Sequence, residues 1–119
     1  MRRLILALAM VVMVSPAWGA NNGSYNYYGT ASCINYLDAY ANAKLEGVAG
    51  YTGGFETWRR FGWISGYITA YNRFNENGKE NIIGDMTLND ARRWLASWCR
   101  DTPSKDIEDA LLALFSSMK

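Results

Sequence analysis

Two cysteines, Cys33 and Cys99, lie 66 positions apart in a chain that opens "MRRLILALAMVVMVSPAWGA". Whether they are joined constrains everything between them, because a bond would hold an early segment against a late one. The opening stretch bears on that. Two arginines precede an apolar run from Leu4 to Val14, followed by Ser15-Pro16 and small residues. This is the charged, apolar and cleavage-type order of an export signal. The run is shorter than the ~20 residues of a membrane span, so a cleaved signal is preferred to an uncleaved anchor. Ala17 and Gly19 put small residues three and one positions before a cut, which predicts cleavage after Gly19. In an oxidising compartment two cysteines allow one pairing within the chain, and Cys33–Cys99 is read as a structural disulfide. A disulfide between chains is the alternative. Closing so long a loop stabilises by roughly 4 kcal/mol in the chain-entropy picture.

The chain has no histidine. That excludes a cysteine–histidine nucleophile pair, starves a zinc site of ligands and leaves a serine triad without its base. No catalytic, cofactor-binding or metal site is expected, and nothing specific supports an acid-pair glycosidase. Without its first nineteen residues the chain has 100, enough for one small domain. Ten basic residues then face eleven acidic ones, a side-chain charge of −1. Such a balance gives no electrostatic case for nucleic acid. The "RR" pairs at 59–60 and 92–93 read as solvated helix edges.

The expected organisation is a signal peptide over 1–19, a flexible polar arm over 20–30 and a helical domain over 31–119. The arm, within "NNGSYNYYGTA", is glycine-punctuated and carries three tyrosines. A first helix is predicted from Ala31 to Leu45, capped by Thr30 or Ser32. Ile34, Leu37, Ala41 and Leu45 form its apolar stripe, flanked by Cys33, Tyr36 and Tyr40. Four glycines between Gly47 and Gly54 break the pattern. A second helix covers "FETWRRFGWISGYITAYNRF", with Phe61, Ile64, Tyr67 or Ile68, Tyr71 and Phe74 along one side. Gly62, Gly66 and Ala70 recur on another side, where they are expected to admit a neighbouring helix or ring closely. "NENGKENIIGDM" is a connector broken at Asn77-Gly78 and Gly84-Asp85, with Ile82 and Ile83 tucked onto the core.

A third helix starts at Thr87, with Asp90 in capping-box position. Leu88, Ala91, Leu95 and either Trp98 or Cys99 face inward, Arg92 and Arg93 face outward, and the helix ends by Asp101. A fourth starts at Thr102-Pro103, with proline in its first position. Asp106, Glu108 and Asp109 fall in its early turns, and Ile107, Leu111, Leu114, Phe115 and Met118 on its apolar face. Four helices and no convincing strand predict an all-α fold, a small four-helix domain closed by one disulfide. The candidate interaction surface is Trp58, Arg59, Trp63, Arg93 and Trp94. Core burial is the simpler reading of the tryptophans, Trp98 included. Two or more of them exposed on one face beside Arg59 or Arg93 would instead form a hot spot.

"SCINYL" early, "GYITAYN" in the middle and a late cysteine running into "RDTPSKDIEDALLAL" together resemble the HdeA family of periplasmic acid-stress chaperones. The neighbouring Rap1a/Tai-type immunity proteins are similar small exported helical domains. The likeness covers most of Ser32 to Phe115, and Cys33 and Cys99 match the family disulfide. It implies a periplasmic, non-enzymatic protein that shields unfolding clients when acid protonates its carboxylates. The alternative is an immunity-type protein or interaction module with one specific partner. Expected partners are thus unfolded client proteins or a dedicated protein, with a homodimer as a further possibility. Nucleic acid, and membrane insertion after signal cleavage, are not expected. The tyrosine arm and the "GVAGYTGG" insert have no counterpart in the family pattern.

Overall fold

The computed structural model describes residues 31–75 and 81–119. The expected export signal, the expected 20–30 arm and the expected Asn77-Gly78 turn lie outside these residues. Four helices and one short hairpin follow in the order α1 (Cys33–Ala41), β1 (Lys44–Glu46), β2 (Gly50–Thr52), α2 (Phe55–Phe74), α3 (Leu88–Asp101) and α4 (Ile107–Ser117). Cys33 and Cys99 are bonded within the chain, S–S 2.03 Å, tying the first turn of α1 to the last turn of α3.

Ser32 caps α1 by accepting the Asn35 amide at 3.1 Å. At the other end the Asn42 side chain donates back to the Asp38 carbonyl, and the helix stops short of the Leu45 expected. The inward face also differs from the expected stripe. Cys33, Tyr36 and Ala39 are buried, whereas Ile34 is 64% exposed and Ala41 lies on the surface. The disulfide fixes Cys33 inward, and one turn on the Tyr36 hydroxyl donates to the Arg92 carbonyl at 2.8 Å. Those two attachments set the rotation of a short helix whose apolar residues alone allow either face.

The glycine-rich stretch is a β-hairpin, where the sequence pattern gave no strand. Its strands pair antiparallel with Leu45 opposite Tyr51. Gly47, at φ 62°, turns the chain in a conformation that side-chain-bearing residues avoid. Only Leu45 and Tyr51 face inward, so the alternation is too brief to register as a strand pattern.

The expected bounds of α2 match the structure, and Phe61, Ile64 and Ile68 are buried as expected. Phe74 is not: it is 76% exposed at the helix end. The other expected contact of α2 is also missing. A Cβ at Gly62 or Gly66 would meet nothing within 4 Å, and Ala70 is exposed. No neighbour among the described residues uses the close approach these residues permit.

Ile82 and Ile83 are buried, followed by a turn at Gly84. Thr87 and Asp90 complete a reciprocal capping box that starts α3. Helix α4 begins four residues later than Pro103. Before it, Cys33 donates to the Lys105 carbonyl and Ile107 to the Ala31 carbonyl, both at 2.9 Å. This extended pairing holds 105–106 out of the helix until the Asp106–Asp109 capping box opens it at Ile107. Helix α3 packs on α1 and α4, and α1 also on α2. Leu95, Leu111, Leu114 and Phe115 are at the centre of the resulting core.

Candidate functional site

The five residues of the expected interaction surface fall into separate settings. Trp58 is 59% exposed and stacks on Tyr51 of the hairpin, ring centroids 4.9 Å apart. Trp63, five positions on and so about 140° around the helix, is partly buried against Tyr67 at 5.1 Å. Arg59 pairs with Glu56 at 2.8 Å inside α2, and Arg93 with Asp90 at 2.8 Å inside α3. Trp94 and Trp98 are partly buried against the core. Trp58 alone among these tryptophans is strongly exposed. Its exposed apolar companion is Phe55, at 78%.

Arg92, expected outside with Arg93, is 2% exposed. Its Nη1 donates to the Ala49 carbonyl at 2.8 Å and to Asn89 Oδ1 at 2.6 Å, and Nη2 to Ser65 Oγ at 3.3 Å. The guanidinium lies over both the Tyr51 and Phe61 rings, 4.7 and 4.9 Å from their centroids, while the two rings meet edge-on. Carbonyl dipoles and ring faces therefore take the place of a carboxylate counter-ion. Burial lowers the pKa of this arginine from its ordinary value, but guanidinium stays charged throughout the working range of proteins. Asn89, fully buried one turn earlier, donates its Nδ2 toward the carbonyls of Glu46, Gly47 and Gly50 at 3.3, 2.9 and 2.9 Å. One turn of α3 thus holds the hairpin by its backbone. The spacing Leu88, Arg92, Leu95, Cys99 carried the signal, since it places Arg92 on the inward face. An arginine is ordinarily assigned to water, and that hid it.

Carboxylates stand in the first turns of three helices and cap two of them. Glu56, in the first turn of α2, is exposed, and hydrogen bonding from Arg59, with the charges of Arg59 and Arg60, holds its pKa below the usual range. Asp90 is lowered chiefly by the Thr87 hydroxyl, then by the Thr87 amide and Arg93. At α4, Asp106 accepts the Asp109 amide at 2.9 Å and Asp109 accepts the Asp106 amide at 3.5 Å. Between them Glu108, buried, accepts the Tyr67 hydroxyl at 3.0 Å. Two acidic groups thus form the cap and a third sits beside it, where the positive end of the helix dipole favours negative charge. Helix α4 carries Glu108 and Asp109 and no basic residue. It also lies beyond Cys99, outside the disulfide-closed loop.

Burial also raises the Tyr36 pKa well above its ordinary value, so this hydroxyl stays a neutral donor to Arg92. Among the described residues no group of three or more cysteine, aspartate or glutamate side chains is placed to hold a metal ion. No helix among them is long and apolar enough to cross a membrane. Compared with protein-family models, with curated proteins and with solved structures, the chain finds no match.

Proposed function

We propose that the mature chain is an exported, non-enzymatic stress protein whose α4 is loosened by acid and offers its apolar face to unfolding client proteins. One observation carries this reading: the capping box that starts this helix is made of two carboxylates, and the helix lies outside the disulfide loop. Asp106 and Asp109 cap the helix through each other's amides and Glu108 accepts the Tyr67 hydroxyl, so its first turn rests on acidic side chains. Ile107, Leu111, Leu114 and Phe115 supply its apolar face. Helix α3 stays bonded to α1, and the Cys33–Lys105 and Ala31–Ile107 backbone bonds leash the start of α4 beside them. The ten basic residues expected in the mature chain leave the acidified body strongly positive and self-repelling, which keeps it dispersed while it holds a client.

The test is light scattering of an acid-sensitive envelope protein shifted from pH 7 to pH 2 with the purified, oxidised chain present. The reading expects suppressed aggregation at near-stoichiometric ratio. No suppression at any ratio retires it.

A further inference from the structure

Charge is divided unevenly over the domain. Helix α2 carries three arginines and one glutamate, a side-chain charge of +2, whereas the rest of the described residues carry six basic and eight acidic groups, −2. The single acid of α2, Glu56, is paired with Arg59 at 2.8 Å and with Arg60 at 3.5 Å. Phe55, Arg59, Gly66 and Arg73 fall on the outward side of this helix, with Trp58 and Phe74 on its two flanks. All six are exposed. Neighbours steady the rings without covering them. Trp58 packs on Tyr51 and is still 59% exposed, and Phe74 lies under Arg73 at 5.8 Å and is still 76% exposed.

We infer that this side of α2 lies on the surface of an anionic lipid bilayer, with the helix axis in the plane of the surface. Aromatic rings at both ends of the helix, each beside an arginine, suit the boundary between headgroups and acyl chains. There a ring leaves water while a long cationic side chain reaches the lipid phosphates. Shape favours a plane over a folded protein partner. Phe55 and Phe74 are about 28 Å apart along the axis. The exposed residues between Arg59 and Arg73 are glycine, threonine and alanine, and a Cβ at Gly62 or Gly66 would meet nothing within 4 Å. That stretch has neither a recess nor a projection for a partner to grip.

Charge sets the orientation. An anionic surface attracts α2 and repels the net-negative remainder of the domain, so the molecule turns this side toward the lipid. Tyr67 and Tyr71, which pack on Phe115 of α4, lie about 100–140° around the helix, so α4 is left clear of the surface. The contact is peripheral, since no helix among the described residues is long and apolar enough to cross a membrane. Its strength should be close to that of a single acyl chain, half-bound near about 0.1 mM lipid.

Co-sedimentation of the oxidised chain lacking residues 1–19 with vesicles at pH 7, without any client, tests this separately from the acid reading. Vesicles of phosphatidylglycerol and phosphatidylcholine in equal parts should bind the chain at least tenfold more tightly than phosphatidylcholine alone. Arg73→Glu reverses one charge, and at about fivefold for each unit it should weaken binding roughly 25-fold. Phe55→Ser should weaken it roughly fivefold or more. Both positions are exposed, so far-ultraviolet circular dichroism of the variants should match the wild type. No binding at about 5 mM anionic lipid overturns the proposal, including the case where the chain is retained by an acidic protein instead. Equal binding to both kinds of vesicle overturns the part played by charge. Binding unchanged by Arg73→Glu and by Phe55→Ser places the contact elsewhere and overturns it too.

Discussion

Replacing Cys33 and Cys99 together by alanine removes the one covalent link between the first and third helices, and its cost can be worked from position alone. The bond closes a separation of 66 residues, so the unfolded chain regains loop entropy worth roughly 4 kcal/mol at 25 °C. Both sulfurs are fully buried between α1 and α3, so their loss adds a small packing term of the same sign. A domain of this size has about 5–15 kcal/mol of stability in all, so the link accounts for a large share. At about 4–8 °C per kcal/mol, the thermal midpoint should fall by roughly 15–30 °C. Urea unfolding followed by far-ultraviolet circular dichroism measures the difference, with three samples: oxidised wild type, wild type with the bond reduced, and the double alanine variant. The reduced wild type keeps its sulfurs, so it isolates the loop term. A loss below about 1 kcal/mol in that sample would refute the reasoning, because α1 and α3 would then be held together by packing alone.

Asn89→Ala should release the hairpin, leaving three carbonyls without their side-chain donor at a cost of about 2–3 kcal/mol. Amide exchange should show protection lost over residues 44–52 and kept in α4; protection lost evenly would contradict the local clamp. Gly62→Ala fills open space on a helix and should raise the thermal midpoint of the monomer, by up to about 1 kcal/mol in stability, measured near 1 μM. The Asp90 carboxyl has a lower pKa folded than unfolded. Its contribution is therefore present above the unfolded value near 4 and is lost as pH falls through the folded one. Asp90→Asn should accordingly flatten the fall of stability below about pH 4; an unchanged acid slope would show that the Thr87 and Arg93 contacts carry no linkage.

Features settled by neighbours in sequence were legible. The limits of α2, the Thr87–Asp90 cap and the apolar face of α4 each follow from residues within a turn or two of one another. The export reading and the absence of histidine led to the Cys33–Cys99 pairing by elimination of other uses. What escaped depended on partners far along the chain. The hairpin is held by Asn89, 43 positions beyond Glu46, and its own alternation covers one inward residue per strand. The rotation of α1 depends on a disulfide and a tyrosine hydroxyl that override the exposed Ile34. Arg92 is inside because ring faces and polar groups of the hairpin and α2 are there to receive it. Pro103 looked like a helix start until the pairing of 31–33 with 105–107 showed what delays α4. In the candidate surface, Trp58 and Trp63 are close in sequence but lie on different sides of one helix, a separation that the helical period itself supplied.

The central claim is that acid loosens α4 while the disulfide-bonded pair beside it stays folded. Amide hydrogen exchange by nuclear magnetic resonance on the oxidised chain lacking residues 1–19, at pH 7 and at about pH 3, tests it most directly. Protection factors corrected for the intrinsic exchange rate at each pH should fall in α4, from Leu111 to Phe115, and persist in α1 and α3 around Cys33 and Cys99. Unchanged protection in α4, or loss in all three helices together, would contradict it.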